Sequence, residues 1–186
     1  HLVVAPYKCR SSILRLLNTE IRNAKAGKEA WVLVKLNNLV DKKTVNKLYQ
    51  ASNAGVKIDI ICRGICVLIP NIKGISENIN VISIVDKFLE HSRIQVFANG
   101  GNPKFYITSA DWMVRNLDHR FETTCPIYDK KLQDEIMHIL KIQLGDNVKA
   151  RLVNAAEMNK YVTHNKVNPI RSQIETYSYL KSISNQ

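Results

Sequence analysis

The chain has 186 residues, of which 45% are hydrophobic and 23% are charged, and its formal net charge is +11. This composition fits one globular domain with a real core and excludes a disordered chain, which would be poorer in hydrophobic residues. No apolar run approaches the roughly 18–20 residues that span a bilayer, and the positive charge favours a polyanionic partner: nucleic acid, an anionic membrane or a phosphate polymer.

The first half of the chain predicts strands that alternate with helices. Ser11 or Ser12 is expected to cap a first helix that ends at Gly27, and Asp41 to cap a second helix that ends at Gly55. Three strands are predicted around these helices, at residues 2–5, 31–34 and 56–62. This alternation predicts an α/β sandwich with a mixed, largely parallel sheet flanked by helices.

The second half predicts shorter strands and two further helices. Strands are expected at residues 81–85, 94–98 and 105–108, with an edge strand at 148–153. The dense turn signal of residues 99–103, which read NGGNP, predicts a hairpin. Helices are expected at residues 132–144 and 170–183. No repeat or linker divides the chain, so residues 1–186 are predicted to form a single domain.

The cysteines and the first residues bear on the cellular context. Four cysteines are present without the spacing of a zinc site: Cys9, Cys62, Cys66 and Cys125. They favour a reduced, cytoplasmic compartment. Basic residues follow the first apolar ones too closely for a signal peptide. The sequence opens directly into a strand, so we expect it to be part of a longer polypeptide.

The densest polar cluster lies between residues 90 and 120, around two predicted strand ends. It contains six candidate site residues: His91, Arg93, Ser109, Asp111, Arg115 and Arg120. Ligands of α/β sheets usually bind at strand ends. Arginine forks match phosphate oxygens, and histidine acts as a nucleophile, acid or base near neutral pH. The cluster therefore predicts a phosphoryl-transfer site.

Two other predicted strand ends carry polar residues that are candidates for the site. Arg63 follows the third predicted strand and is expected to bind phosphate, with Gly64 allowing close backbone approach. Lys35 and Asn37 follow the second strand. Their types are consistent either with a place in the site or with hydrogen bonding at a buried strand end.

Four segments together resemble the signature of polyphosphate kinases. Residues 82–94 read ISIVDKFLEHSRI, residues 36–41 LNNLVD, residues 63–66 RGIC and residues 109–118 SADWMVRNLD. They occur in the family's order, and the resemblance extends from residue 2 to residue 180. It identifies the chain as a C-terminal catalytic domain of this family, a fragment of a longer chain.

The resemblance implies a phospholipase D-like fold and reversible transfer of the terminal phosphate of ATP to inorganic polyphosphate. The transfer would pass through a phosphohistidine on an upstream domain missing from this chain, so the isolated fragment is expected to be inactive. Among the residues of this chain, His91 would be catalytic and would contact phosphate, and Arg63 would bind nucleotide phosphates.

The resemblance also implies Mg²⁺ as the cofactor and a homodimer for the full-length protein. ATP, ADP and polyphosphate are the expected partners, together with the enzyme's own upstream domains, and nucleic acid is not. The location is expected to be cytoplasmic, with peripheral membrane association left open. No residue of the chain is expected to hold a resident metal.

Two alternatives stay open at this point. One is a phospholipase D-type phosphodiesterase or nuclease, although Arg93 stands where that broader pattern has lysine. The other is a non-enzymatic polyanion-binding module, although its basic residues are not interleaved with the aromatic residues of a stacking platform.

Overall fold

The computed structural model describes residues 1–156, 159–162 and 168–184. Within them lie eight strands: β1 Val3–Ala5, β2 Trp31–Leu36, β3 Lys57–Cys62, β4 Ile79–Ile84, β5 Ile94–Phe97, β6 Lys104–Thr108, β7 Glu122–Ile127 and β8 Ala150–Leu152. Four helices accompany them: α1 Cys9–Lys25, α2 Lys42–Asn53, α3 Lys130–Leu144 and α4 Ser172–Ser184. In this described part of the chain, no helix is long and apolar enough to cross a membrane.

The strands form one mixed sheet in the order β1-β7-β6-β5-β2-β3-β4-β8. Strand β3 pairs in parallel with β2 and β4, whereas the other five pairings among these strands are antiparallel. A mixed sheet flanked by helices is confirmed, but the prediction that it is largely parallel is wrong. The reason is that the chain leaves β4 and enters β5 at the same edge of the sheet, so β5 runs against β2.

Strand β7 was missing from the predicted elements, and one of its residues explains the omission. Pro126 lies inside it and has no N–H for a sheet ladder, which argues against a central strand. The neighbouring strand β1 pairs only with residues 122–124, so nothing requires that N–H on this side. The other predicted strands and helices, and the hairpin turn, are confirmed with bounds mostly within two residues.

The sheet separates two apolar cores because successive strand side chains point to opposite faces. Val34 and Leu36 of β2 pack on one face with side chains of α1 and α2, including Leu17 and Leu48. Leu33 of the same strand packs on the other face, where Leu140 of α3 covers it. The helices therefore cover both faces of the sheet and leave the ends of its strands accessible.

The first helix begins differently from the prediction. Neither Ser11 nor Ser12 caps it, since α1 already starts at Cys9 and Lys8 at its N-cap makes no side-chain capping bond. The amide of Lys8 donates to the carbonyl of Val4, so the turn after β1 runs straight into the helix. By contrast, Asp41 caps α2 as predicted, accepting the Thr44 amide at 2.9 Å.

The C-terminal helix α4 is anchored by one buried carboxylate. Asp146 Oδ2 accepts the Ser172 amide at 2.8 Å, and Oδ1 accepts the amides of Val148, Lys149 and Ala150 at 2.6–3.0 Å. Burial opposes ionisation of Asp146, yet hydrogen bonds from Ser172 and these amides lower its pKa below the ordinary value. This residue joins the start of α4 to the turn before β8.

Replacing Asp146 by alanine is expected to lower the free energy of unfolding by about 2–4 kcal/mol, because four backbone N–H groups lose a charged acceptor. Denaturant unfolding measures the change, and hydrogen exchange should show α4 opening first. Asp134→Ala, at an exposed position of α3, is the matched control and should cost less than about 0.5 kcal/mol. A variant as stable as the parent protein would contradict the anchoring role of Asp146.

Candidate functional site

The polar strand ends meet at one edge of the sheet. Strands β2 and β3 end there, β6 ends there, and β5 begins there. The segment of residues 85–93, which we call the histidine loop, joins β4 to β5 and must cross the ends of β3 and β2. His91 is consequently brought to the strand ends that carry Arg63 and Asn37.

Asp111 is the centre of this edge. Its side chain is 6% exposed, and Oδ1 accepts the backbone amides of Asn37 at 2.8 Å and Asn38 at 3.1 Å. The Asn38 amide group donates to Oδ2 at 3.1 Å. Burial works against its ionisation, but the hydrogen bonds from Arg93 and Asn38 prevail and lower the pKa of Asp111. The carboxylate therefore remains charged and ties the end of β2 to the end of β6.

Arg93 joins Asp111 to His91. Its Nε donates to Asp111 Oδ1 at 2.9 Å, and its Nη1 donates to the His91 carbonyl at 3.3 Å. The Nη2 atom lies 3.3 Å from His91 Nε2. Because guanidinium groups only donate, the ring nitrogen accepts in this contact. His91 itself is exposed, so its imidazole is accessible to a ligand. Arg93 restrains the residue through its carbonyl and one ring nitrogen.

Arg63 is held by the residue that also contacts Asp111. Asn37 is 4% exposed, and its Oδ1 accepts from Arg63 Nε at 2.6 Å. This bond leaves the two terminal nitrogens of the guanidinium available for an anion. The Nδ2 atom of Asn37 is buried without a hydrogen-bond partner among the described residues. Asn37 thus makes a hydrogen bond at a buried strand end and also contacts Arg63, and its place in a phosphate site stays a prediction.

Gly64 is required by close packing within the protein. A Cβ atom there would lie 2.6 Å from the Asn37 carbonyl oxygen and 2.7 Å from Asn38 Oδ1. The glycine amide donates to that same carbonyl at 2.8 Å. The absence of a side chain therefore lets the end of β3 lie directly against the end of β2, which places Arg63 beside Asn37.

Lys35 and Glu90 form a second, partly buried ion pair on the α3 side of the edge. The lysine is 5% exposed, and its Nζ contacts Glu90 Oε2. Burial lowers the pKa of Lys35, with nearby Arg63 acting in the same direction and Glu90 opposing both. Gln143 of α3 donates to the same Glu90 oxygen at 2.7 Å. The residue next to His91 is thus fixed from the body of the domain.

The remaining predicted site residues do not join this cluster. The Ser109 hydroxyl bonds to Glu122 and accepts the Thr123 amide at 3.0 Å, so it fixes the start of β7. Arg115 and Arg120 are exposed at the two ends of a π-helical turn. In the described residues their side chains take part in no ion pair. Their role in phosphate binding stays a prediction.

Several residues that build the site had no motif to reveal them. Gln143 and Gln173 act through hydrogen bonds between elements far apart in sequence. The only available signal was negative: polar residues inside otherwise apolar patterns, as with Gln143 on the inner side of α3. Their partners became evident only when the strand order was known.

Carboxylates beside the site do not suit a resident Mg²⁺. Asp111 is engaged by Arg93 and three N–H donors, and Glu90 by Lys35 and two glutamines. Across residues 1–156, 159–162 and 168–184, no group of three or more acidic, histidine or cysteine side chains is arranged to hold a metal.

Comparison with known proteins gives consistent matches. The family described as polyphosphate kinase C-terminal domain 2 matches residues 2–173. A polyphosphate kinase of Vibrio parahaemolyticus is 52% identical over 186 residues, which is 100% of this chain and 27% of that protein. The crystal structure of polyphosphate kinase from Porphyromonas gingivalis has a TM-score of 0.95 and 47% identity, over 99% of this chain and 28% of that one. The chain spans little more than a quarter of the length of these relatives.

A more distant likeness concerns the fold alone. Nuc from Salmonella typhimurium, a phospholipase D family member, has a TM-score of 0.61 at 11% identity, over 83% of this chain and 97% of that one. The predicted phospholipase D-like fold is therefore confirmed. At this identity the likeness says nothing about catalysis.

Replacing Asp111 by asparagine is expected to destabilise the protein by about 3 kcal/mol at pH 7, because Arg93 loses a buried counter-ion. The difference should depend on pH. The folded-state pKa of Asp111 lies below the ordinary value of about 3.9, so its stabilisation is complete above that value. It should be lost as the pH falls through the lower folded-state pKa.

Denaturant midpoints of the parent protein and of Asp111→Asn, compared between pH 7 and pH 3, measure how the difference in stability decreases as the pH falls. Asp129→Asn makes the same chemical change at an exposed helix cap, where asparagine is equally effective, and should change stability by less than about 0.5 kcal/mol. Equal costs for the two substitutions at pH 7 would show that Asp111 is not the organising charge.

Proposed function

Because the chain belongs to the polyphosphate kinase C-terminal domain 2 family, we propose that it is one phosphoryl-transfer domain of a longer polyphosphate kinase. The reaction moves the terminal phosphoryl group of ATP to the end of a polyphosphate chain, reversibly, and releases ADP. The observation that carries the proposal is the placement of Arg63, His91 and Arg93 around the buried Asp111 carboxylate.

Arg63 is the proposed ligand of the nucleotide phosphates. Its Nε is occupied by Asn37, so the two outer nitrogens face the anion together as a fork. The Nδ2 atom of Asn37, which has no hydrogen-bond partner among the described residues, offers a further donor beside it. Leaving such a donor buried costs about 1–3 kcal/mol, which a bound phosphate oxygen would recover.

His91 is the proposed catalytic residue of this chain. Phosphoryl transfer depends mainly on positioning and on neutralising charge in the transition state. The exposed imidazole lies beside a guanidinium that is itself fixed by Asp111, so His91 can hydrogen-bond the transferring group without reorganisation of its neighbours. In the proposal the phosphoryl group passes from ATP to a histidine on an upstream domain, and from there to a terminal oxygen of polyphosphate.

The other expectations from the sequence remain part of the proposal. The enzyme is cytoplasmic and a homodimer, its upstream domains supply the phosphorylated histidine, and the isolated chain is inactive. Mg²⁺ would accompany the nucleotide and would neutralise charge on its phosphate groups. The likeness to Nuc bears only on the fold, so the phosphodiesterase alternative has no observation in its favour.

Alanine substitutions in the full-length enzyme test the two roles. His91→Ala is expected to lower kcat by at least about 100-fold, as for loss of a positioned acid or base. Arg63→Ala should lower kcat/KM for ATP by about 10- to 200-fold, since one charge-assisted contact is worth about 1.5–3 kcal/mol. Coupled measurement of ADP release and polyphosphate growth gives both values.

Lys28→Ala is the control for the loss of one positive charge, because this exposed lysine precedes β2 at the opposite edge of the sheet. It should leave the kinetics unchanged. Near-normal turnover of His91→Ala would rule out the catalytic role. Equal effects of Arg63→Ala and Lys28→Ala would reduce the phosphate site to general electrostatics.

A further inference from the structure

The histidine loop is fastened to the C-terminal helix at three alternating residues. Asp86 forms a bidentate ion pair with Arg171, whose Nη2 donates to Oδ1 at 2.6 Å and whose Nε donates to Oδ2 at 2.8 Å. Phe88 and Glu90 both bond to Gln173, in the first turn of α4. These contacts join parts of the chain more than eighty residues apart, and they lie on the side of the loop that faces α4.

Gln173 holds the loop backbone in the way a neighbouring strand would. Its Oε1 accepts the Phe88 amide at 3.0 Å, and its Nε2 donates to the Phe88 carbonyl at 2.7 Å. The same Nε2 donates to Glu90 Oε1 at 3.1 Å. One side chain thus contacts two residues of the loop, Phe88 and Glu90, the second of which directly precedes His91.

Apolar burial does not fix this part of the loop. Phe88 is 61% exposed and Leu89 is 76% exposed, so neither side chain anchors the backbone in a core. The loop conformation must therefore depend on its polar contacts. Among these, the Asp86–Arg171 pair holds only the loop's beginning, five residues before His91.

Glu90 transmits the restraint to His91. Its Oε2 receives Lys35 from β2 and Gln143 from α3, and its Oε1 receives Gln173 from α4. Three elements of the domain thus converge on the carboxylate next to His91. Lys35 and Gln143 belong to the sheet and its covering helix, whereas Gln173 is the contact that also fixes the loop backbone.

We propose that Gln173 is a positioning residue for His91, and that the amino-terminal turn of α4 acts as the clasp that sets the catalytic histidine. This inference rests on the proposed function, since it takes His91 as the catalytic group. Without Gln173, the backbone at Phe88 loses both of its bonds and Glu90 loses one of three donors. The imidazole then samples positions away from the transferring phosphate, and a displacement near 1 Å is enough to cost about 100-fold in rate.

The test is Gln173→Ala in the full-length enzyme. We expect kcat to fall about 10- to 100-fold while KM for ATP changes much less, because Arg63 and its Asn37 contact are untouched. Hydrogen exchange measured by mass spectrometry should become faster across residues 85–93. Glu175→Gln, an isosteric change at an exposed position of the same helix, is the control and should alter neither measurement.

A second variant protects the test against misfolding. Gln173→Glu keeps the size of the side chain and the acceptor for the Phe88 amide, but loses the donor and places a negative charge against Glu90. It should lower kcat in the same direction and loosen the loop. Unchanged exchange of residues 85–93 in both variants, or a normal kcat despite faster exchange, would overturn the positioning role.

The failure of this inference is distinguishable from failure of the proposed function. An inactive His91→Ala enzyme together with a fully active Gln173→Ala enzyme would disprove only the positioning role of Gln173. An active His91→Ala enzyme would disprove the catalytic role of His91. The positioning role of Gln173 depends on that role and would fall with it.

Discussion

The site depends on one buried carboxylate. Asp111 accepts two backbone amides that follow β2, the Asn38 side chain, and the guanidinium of Arg93 at the start of β5. The end of β2, the start of β5 and the end of β6 are thereby held at one edge of the sheet. A negative charge at the centre also lets cationic side chains approach one another, which their mutual repulsion would otherwise oppose.

The same principle recurs in the surrounding contacts. Glu90 neutralises buried Lys35 beside His91, and Asp86 neutralises Arg171 at the start of the loop. The chain has a net charge of +11, and these carboxylates determine which of its basic side chains form ion pairs within the fold. Arg63 is bound through a neutral amide instead, so its full charge remains available to phosphate. The domain thus separates its structural cations from the cation proposed to bind the substrate.

Much of this could be predicted from sequence, because periodic apolar residues indicate strands and helices and the family motifs contain His91 and Arg63. The strand directions could not, since they depend on which edge β5 enters. The partners of Ser109 were also beyond the pattern: a serine at a strand end suits a phosphate contact, yet tertiary packing places Glu122 against it. Gln173 was unpredictable for the same reason, because an amide at a helix start has no signature for a partner eighty-five residues away.

Calorimetric titration with tripolyphosphate tests most directly whether the folded chain carries a preformed phosphate site at this edge. We expect saturable binding in the parent protein, loss of that binding in the Arg63→Ala, His91→Ala double variant, and its retention in the Lys25→Ala, Lys28→Ala double variant. Both control residues are exposed and lie at the opposite edge of the sheet, since Lys25 ends α1 and Lys28 precedes β2. Equal weakening in both double variants would contradict a preformed phosphate site, because binding would then follow total charge and not the arrangement around Asp111.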